Sequence, residues 1–338
     1  MKALLKLAVI LILFSMITSL AIAKSTLEIV QERGELRCAV HTGATGMSLP
    51  DSKGQWTGFF VDYGRALAAA TIGDPGKVKF IPVSSQQRFT VLQSGEVDVL
   101  SRTTTWNLSR DSALGLNFTG VMFYDGQSFL VRKDTGIRSV KDLDGATICV
   151  KTGTTAEQNT SDYFASHKMS YKPVVFEGAN EAKTAFFASR CDALTTDASA
   201  LTSTRLADAP NPDDYLVLPD RIAKEPLGAT VRADDDQWFD INKWVLNALI
   251  EAEELGVTSA NVDQLKAKAM KPSIKRLLGT IPGNGKALGL DEEWAYRAIK
   301  AVGNYGEMYD RHLTPIGLDR GLNKLWSNGG IMYALPLR

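Results

Sequence analysis

Two pairs of segments in this chain resemble each other and indicate a duplicated α/β unit. Residues 40–45 resemble residues 150–155, and residues 90–101 resemble residues 184–195. In the first pair, an apolar strand ends at a Thr-Gly turn. In the second pair, a helix leads to an apolar strand that contains an aspartate. A repeated unit of this kind predicts two similar lobes whose strand ends face a shared cleft. Short apolar matches also arise by chance, which is the alternative.

Strands and helices alternate through both halves of the chain. The predicted strands are 36–40, 77–83, 96–101, 146–151, 171–176 and 192–195, and the helices between them are 61–70, 88–93, 155–167 and 181–189. This order is typical of sheets with parallel strands covered by helices. From about residue 225 the pattern becomes mostly helical, with helices predicted at 238–255, 262–270 and 292–302.

Three features of the C-terminal part are more specific. Asp291 is predicted to be the N-cap of the helix at 292–302, and residues 279–289 form a Gly/Pro-rich loop. The stretch 304–338 is predicted to be ordered loop and short helix. Its aromatic side chains, among them Trp326 and Tyr333, are most simply explained as core packing.

The N-terminus is predicted to be a cleaved secretory signal peptide. Lys2 and Lys6 precede an uncharged run over residues 7–20, and Ala21-Ile22-Ala23 supplies the small residues that a signal peptidase recognises. No cysteine lies at the cleavage site, so a bacterial lipid anchor is not expected. The alternative is a buried first helix, but that helix would carry Lys2 and Lys6 and would have no polar face. The mature chain is therefore expected to begin near Lys24 outside the cytoplasm.

Size and charge narrow the class of protein. Removing 23 of the 338 residues leaves 315, enough for two domains, with 36 basic and 38 acidic side chains. A net charge near −2 gives no electrostatic footprint for nucleic acid or an anionic membrane. The three cysteines and three histidines show no metal-ligand spacing, and no cofactor motif occurs, so neither metal nor cofactor is predicted. In an oxidising compartment, an odd cysteine count predicts one disulfide and one free thiol.

A polar cluster follows the third predicted strand. Residues 101–106 read Ser-Arg-Thr-Thr-Thr-Trp, and Arg110 lies about one helical turn later. Hydroxyl and N–H groups beyond the carboxyl end of a strand are where open α/β sheets bind small ligands. An arginine can hold a carboxylate through two parallel hydrogen bonds. The alternative is a solvated arginine in a Ser/Thr-rich loop.

The second half supplies two complementary segments. Thr154 and Glu157 fit a capping box at a helix start, where free N–H groups attract an anion, although every helix needs a cap. Asp197 ends the matching strand and could hold an ammonium group or cap the helix at 198–206. Arg110 and Asp197 together would be the two halves of an α-amino-acid site.

At this point the chain resembles a known family, the periplasmic solute-binding proteins of ABC transporters for polar or general L-amino acids (family 3 of the extracellular solute-binding proteins). The similarity spans nearly the whole mature chain. The segments that carry it are residues 58–62, 88–98, 110–111, 153–155, 195–199 and 224–228, then 288–291 through Trp326 and 329–333.

The resemblance implies an α/β fold of the two-lobed, type II-like periplasmic binding protein class. Lobe 1 would comprise residues 24–125 and 226–338 with the C-terminal helices, and lobe 2 residues 126–225. The chain would cross near residues 124–128 and return near residues 224–228 through a two-strand hinge. The resemblance also implies a non-enzymatic periplasmic monomer that delivers its L-amino acid to membrane-embedded ABC permease subunits.

Roles for individual residues follow from the same resemblance. Arg110 would pair with the ligand α-carboxylate, helped by the backbone and hydroxyls of Thr105 and Thr155, while Thr103 and Asp197 would hold the α-amino group. The further ligand-binding candidates are Arg102, Thr154 and His41.

The chain also departs from the family. Phe60 and Gly64 stand where members often have an aspartate and, in some, a cysteine, so Cys38 would lack its usual partner. Cys149 and Cys191, on strands expected to be adjacent, are the disulfide candidates.

The position of His41 bears on specificity, because relatives that bind basic amino acids have an acid there. With His41, Arg102 and Lys151 close together, basic ligands are disfavoured, and glutamine, glutamate or aspartate fit better.

Two other classes of function remain as alternatives. A dehydratase-like enzyme on the same scaffold would need a general acid or base in the cleft, and His41 is the only histidine expected nearby. A sensory ligand-binding domain would normally be fused to a transmembrane helix and a cytoplasmic domain, and the sequence after residue 23 shows neither.

Overall fold

A computed structural model describes residues 24–338, and the predicted signal peptide lies outside them. The first of its two main sheets has the strand order β4-β1-β5-β13-β6. These strands are β1 (Leu36–His41), β4 (Val78–Val83), β5 (Val99–Leu100), β6 (Leu116–Phe118) and β13 (Thr230–Arg232). A small hairpin of β2 (Leu49–Pro50) and β3 (Trp56–Thr57) lies outside this sheet. We call the part built on this sheet the first lobe.

The second sheet has the order β11-β7-β10-β8-β9, and β12 also pairs with β7. Its strands are β7 (Phe123–Arg132), β8 (Thr147–Lys151), β9 (Lys172–Phe176), β10 (Ala193–Asp197), β11 (Tyr215–Val217) and β12 (Ala223–Leu227). We call the part built on it the second lobe.

The two sheets repeat one arrangement. In the first, β1 lies parallel between β4 and β5. In the second, β8 lies parallel between β9 and β10. An antiparallel strand follows on the same side in each, β13 beside β5 and β7 beside β10. The two similar α/β lobes predicted from the repeated segments are thus confirmed.

Helices cover both sheets. Those of the first lobe are α1 (Thr26–Arg33), α2 (Phe59–Ile72), α3 (Arg88–Gln93) and α4 (Leu108–Ser112), and those of the second are α5 (Thr155–Ser166), α6 (Ala179–Phe187) and α7 (Ala198–Ala207). Helix α2 is almost wholly buried because it packs between the first sheet and the C-terminal helices. The Phe60 ring is fully buried and meets Phe59 edge-on, so Phe60 belongs to the core.

Six helices follow the first sheet. They are α8 (Asp236–Glu254), α9 (Val262–Lys268), α10 (Pro272–Leu277), α11 (Asn284–Leu288), α12 (Trp294–Val302) and α13 (Tyr305–His312). Within residues 24–338, none of the helices is long and apolar enough to cross a membrane.

Two sequence-based predictions in this part were wrong, the loop at 279–289 and the cap at Asp291. The predicted loop contains α11. Helix α10 was not predicted, and it begins at Pro272 because proline fits the first turn of a helix. Asp291 does not cap α12, which begins at Trp294. The Asp291 carboxylate instead accepts a hydrogen bond from the Glu293 N–H at 2.8 Å and pairs with Arg297.

The prediction of buried C-terminal aromatics was only partly right. Tyr305 is fully buried and its hydroxyl donates to the Met122 carbonyl at 2.9 Å. Trp326 and Tyr333, however, are 55% and 60% exposed. They contact each other with ring centroids 5.7 Å apart.

Polar contacts attach the C-terminal helices to the first lobe and to the crossing strand. Asp62 on α2 binds Arg311 and His312 of α13, at 2.6 and 2.7 Å. Burial raises the pKa of Asp62, but His312 and Arg311 more than offset this and hold it below its usual value. The Asn323 amide accepts from the N–H of Tyr124 on β7 and donates to the Tyr124 carbonyl. The C-terminal part is therefore held at the point where the chain crosses between the lobes.

The predicted disulfide is confirmed. Cys149 on β8 is bonded to Cys191, with the two Cα atoms 5.6 Å apart. Cys38 is buried and not disulfide-bonded, and its Sγ lies 3.1 Å from where a Cβ on Gly64 would be.

Breaking this disulfide should destabilise the protein. Because the bond closes a loop with a sequence separation of 42, its reduction should lower the free energy of unfolding by about 2–4 kcal/mol. Urea unfolding with and without reductant measures this loss. The Cys38→Ala variant should show the same loss. Thiol labelling of denatured, unreduced wild type should find one thiol, and three would contradict the pairing.

Candidate functional site

The carboxyl ends of several strands from both sheets meet at one cleft. His41 ends β1, Lys151 ends β8 and Asp197 ends β10, and all three line a cavity with about 660 Å³ of space, part of it open to solvent. The remaining lining residues include Gly43–Thr45, Met47 and Thr103 from the first lobe, and Ala179, Lys183, Thr195, Thr196, Ser203, Thr204 and Asp208 from the second. A concave space with a few convergent polar groups is the usual form of a small-molecule site.

Arg110 of the first lobe lies beside Thr105, outside the set of residues that line the cavity. The Asn107 side chain caps the short helix α4 by accepting from the Arg110 N–H at 3.0 Å. The Arg110 guanidinium donates to the Thr105 carbonyl at 3.1 Å and lies over the Phe89 ring. It is 8% exposed, and burial lowers its pKa although Glu225 and Asp197 act in the opposite direction. Arg110 is therefore a buried cation with donors left over for an anion.

Asp197 does not serve as a helix cap. It occupies the N-cap position of α7, but its side chain makes no capping hydrogen bond. Burial raises its pKa well above the usual value, and the nearby carboxylates of Asp125 and Glu225 raise it further. A cation in the cleft would stabilise the ionised form of this carboxylate. Thr103, the other predicted contact of the α-amino group, lines the same cavity.

Thr105 of the first lobe and Thr155 of the second lie close together, with their hydroxyl oxygens 3.3 Å apart. Both hydroxyls donate to the Glu225 carboxylate, at 3.0 Å for Thr155. Within residues 24–338, the main-chain N–H groups of these two threonines have no hydrogen-bond acceptor. These N–H groups, rather than the hydroxyls, are free to bind an anion.

Two predicted ligand contacts have other partners. The Arg102 guanidinium donates to the carbonyls of Val83 and Ser84, at 2.8 and 2.9 Å. Thr154 caps α5 by accepting from the Glu157 N–H at 3.3 Å. The capping box is incomplete, because Glu157 accepts from the Gly153 N–H instead of the Thr154 N–H.

Of the predicted ligand-binding residues, three line the cavity, His41, Thr103 and Asp197, and five do not, Arg102, Arg110, Thr105, Thr154 and Thr155. Direct ligand contact for these five stays a prediction.

His41 is neutral near pH 7. Its Nδ1 accepts from the Gly43 N–H at 3.0 Å, which leaves the ring proton on Nε2. Burial lowers the pKa of His41 well below its usual value, and the charges of Arg102 and Lys151 lower it further. Burial also lowers the pKa of Lys151, to about 8.

Sequence reasoning missed two residues, Arg88 and Glu225. Both lie in segments that carried the family resemblance, but neither follows a strand end or sits in a polar cluster. Arg88 begins α3, is 3% exposed, and makes only long hydrogen bonds of 3.4 Å to the carbonyls of Thr103 and Gly153. Burial lowers its pKa, as do Arg102 and Arg110.

Lys183 and Asp208, which line the cavity, pair with each other at 2.8 Å, but in the part of the chain that the structure describes the other charged groups around the cleft are unpaired. Among the described residues 24–338, no ion pair within 4.0 Å involves any of Arg88, Arg102, Arg110, Lys151, Asp125, Asp197 or Glu225. Burying charges without counter-ions is costly. A ligand that carries both a carboxylate and an ammonium group would supply the missing partners. The fold and the cleft thus define a two-lobed binding protein for a small zwitterion.

Comparison with known proteins identifies the family. The pattern of the bacterial extracellular solute-binding proteins, family 3, matches residues 36–314, so the chain belongs to that family. The general L-amino acid-binding periplasmic protein AapJ of Rhizobium johnstonii is 51% identical over 323 residues, covering 94% of both chains. The glutamate/glutamine/aspartate/asparagine-binding protein BztA of Rhodobacter capsulatus is 50% identical over 321 residues, covering 94% of this chain and 95% of BztA.

A solved structure shows the same fold. The periplasmic binding protein of an ABC transporter from Brucella ovis, with glutathione bound, superposes with a TM-score of 0.90 at 51% identity. The match covers 93% of this chain and 100% of that one. Within residues 24–338, no group of three or more His, Cys, Asp or Glu side chains is placed to hold a metal ion.

The half-buried carboxyl of Asp125, on the crossing strand β7, should make the stability of the protein depend on pH. Burial raises its pKa to about 6 from 3.8, so folding takes up a proton between these values. This contribution therefore stabilises the fold as the pH falls, by up to about 3 kcal/mol between pH 7 and pH 4. Carboxyls with lowered pKa, such as Asp62, act in the opposite direction, so the effect must be isolated by a variant.

The comparison is between ligand-free wild type and Asp125→Asn, by urea unfolding at several pH values. The free-energy difference in favour of wild type should grow as the pH falls. The exposed Asp213→Asn is the control and should follow wild type. Parallel curves for wild type and Asp125→Asn would contradict the assignment.

Proposed function

We propose that this chain is the receptor of an amino-acid ABC transporter that captures an L-amino acid between its two lobes and delivers it to membrane-embedded permease subunits. The observation that carries the proposal is a buried cation, Arg110, and a half-buried carboxylate, Asp197, on opposite lobes. The charge of Asp197 acts on the pKa of Arg110, and neither group is in an ion pair among residues 24–338. The receptor acts in the periplasm as a monomer, after removal of the signal peptide, and performs no chemistry. A relative that is 51% identical, AapJ, is named as a periplasmic protein, which supports the proposed location.

The proposed lobe boundaries are residues 24–125 with 226–338, and 126–225. The support is that β7 and β12 pair antiparallel, with Asp125 opposite Glu225 at the crossing. Two adjacent strands of this kind give a hinge about which lobes can close.

The amino-acid backbone would be held from both lobes. The α-carboxylate would bind the Arg110 guanidinium and the main-chain N–H groups of Thr105 and Thr155, and the α-ammonium would bind Asp197 with help from Thr103. Because these contacts come from both sides, the ligand stabilises the closed arrangement over the open one. A permease can then distinguish loaded from empty receptor.

The ligand side chain would be acidic or carry an amide. His41 is neutral, while Lys151 and the buried Arg88 add positive charge beside Thr103. Cations around the side-chain space repel lysine and arginine ligands and attract a second carboxylate. The acidic and amide amino acids in the name of BztA agree with this preference.

Glutathione is a second candidate ligand. Its γ-glutamyl end carries the free α-carboxylate and α-amino group of a glutamate, and the Brucella ovis relative has glutathione bound. The cavity continues past Asp197 to Ser203, Thr204 and Asp208, which leaves room for more than a single side chain.

An enzymatic role has less support from the site. His41 has a lowered pKa and an Nδ1 already engaged by Gly43, so it is a poor general base. Asp197 is the cleft carboxyl with a strongly raised pKa, and a dehydratase-like reaction would have to use it. Recovery of the ligand unchanged after prolonged incubation, checked by NMR, separates receptor from enzyme.

Removing Arg110 should abolish most amino-acid binding without unfolding the protein. Calorimetric titration should find micromolar or tighter binding of at least one L-amino acid. Each charged hydrogen bond contributes roughly 1.5–3 kcal/mol, so Arg110→Ala should weaken binding about a hundredfold. The unfolding temperature of the empty protein should change little, since a buried unpaired cation is removed. The exposed Arg190→Ala is the control, and undiminished binding by Arg110→Ala would overturn the assignment.

Lys151 should discriminate acidic from amide ligands. Lys151→Gln should weaken the binding of L-glutamate about tenfold more than that of L-glutamine, because only the acid gains from the positive charge. The surface variant Lys141→Gln should leave both affinities unchanged. Equal losses for the two ligands would show that Lys151 does not recognise the side-chain charge.

A further inference from the structure

Glu225 occupies the structural junction of the two lobes. It lies on β12 opposite Asp125 of β7, and it is fully buried. Its carboxylate accepts hydrogen bonds from three side chains. These are the Thr105 hydroxyl, the Thr155 hydroxyl at 3.0 Å and the Asn159 amide at 2.9 Å.

The three donors come from both sides of the cleft. Thr105 belongs to the loop that follows β5 in the first lobe, whereas Thr155 and Asn159 lie on the first turns of α5 in the second. All three are neutral, and among residues 24–338 no lysine or arginine nitrogen lies within 4.0 Å of the carboxylate. Glu225 therefore joins hinge, first-lobe loop and second-lobe helix through hydrogen bonds alone.

These hydrogen bonds determine which groups of Thr105 and Thr155 can donate a hydrogen bond to a ligand. A hydroxyl has one proton, and Glu225 takes the proton of each threonine. Neither hydroxyl can then donate to a ligand carboxylate. Their main-chain N–H groups stay available, and those of Thr155 and its neighbours lie at the positive end of α5.

We propose that Glu225 is a positioning residue, which draws the Thr105 loop and the start of α5 together so that both main-chain N–H groups grip the ligand α-carboxylate when the lobes close. The inference rests on the proposed function, because it concerns the same site. Glu225 itself does not touch the ligand in this scheme. Its effect should therefore be the same for every α-amino acid, whatever the side chain.

The test uses the full mature chain with the variants Glu225→Gln, Thr155→Val and Asn159→Ala. The two threonine hydroxyls donate to Oε2 of Glu225 and Asn159 donates to Oε1. An amide at position 225 has one acceptor oxygen, so it loses either the Asn159 bond or the threonine bonds. Titration calorimetry with L-glutamate, L-glutamine and L-alanine should show about tenfold weaker binding for Glu225→Gln, by the same factor for each ligand that binds wild type. Thr155→Ser, which keeps the hydroxyl, should restore most of the affinity that Thr155→Val loses.

Two further readouts separate positioning from a general loss of structure. Stopped-flow measurements should show faster ligand dissociation in Glu225→Gln. The double variant Glu225→Gln with Thr155→Val should bind ligand nearly as tightly as Glu225→Gln alone, because both substitutions disrupt the same hydrogen-bond network. The exposed Glu177→Gln is the matched control and should bind like wild type. If Glu225→Gln fails to fold, Asn159→Ala and the two Thr155 variants carry the same test.

The outcomes also separate this inference from the proposed function. If wild type binds no amino acid, the proposed function fails. If wild type binds but Glu225→Gln, Asn159→Ala and Thr155→Val bind equally well, only the positioning role fails. A loss confined to one ligand would make Glu225 a side-chain contact and would also overturn the inference.

Discussion

The burial of charge at the cleft without direct counter-ions is the constraint on which the rest of this structure depends. Arg110 lies within the short helix α4 and Asp197 at the end of β10, and neither has a charged partner within 4.0 Å among residues 24–338. A protein of ordinary stability tolerates such groups only when packing elsewhere is sufficient. Here that packing comes from the large core around α2, α8 and α12 in the first lobe and from two clusters on the second sheet.

The C-terminal helices and the hinge can be understood in the same terms. The helices bury one face of the first sheet and hold Tyr124 through Asn323, so the crossing strand is fixed by the first lobe. The second lobe is held to the same crossing through hydrogen bonds of Asp125 and Glu225 with the starts of α7 and α5. Polar contacts therefore hold the second lobe to the crossing, while the apolar core of the first lobe extends to Phe123 and Leu227 on the crossing strands.

Much of the architecture followed from local patterns, because strand and helix periodicity and the repeated segments are short-range signals. The Cys149–Cys191 bond was predicted from the expected adjacency of their strands, beside the departure at Gly64 that leaves Cys38 without the partner some family members have. Arg110 and Asp197 could be proposed because each follows a strand end, although their roles stay predictions. Arg88 and Glu225 could not be found in this way, since only tertiary folding brings the start of α3 and the strand β12 to the cleft. The exposure of Trp326 and Tyr333 was likewise not readable from aromatic spacing.

The same reasoning explains why both ends of an amino acid are needed. A simple carboxylic acid would neutralise Arg110 and leave Asp197 buried beside Asp125 and Glu225, whose charges raise its pKa. A simple amine would leave Arg110 close to Arg88 and Arg102, whose mutual repulsion burial strengthens. In the proposed function, a molecule with both charges would satisfy the two lobes at once. Selection for the α-amino-acid backbone would then follow from the charge arrangement of the cleft, and the side-chain preference would be set separately by His41 and Lys151.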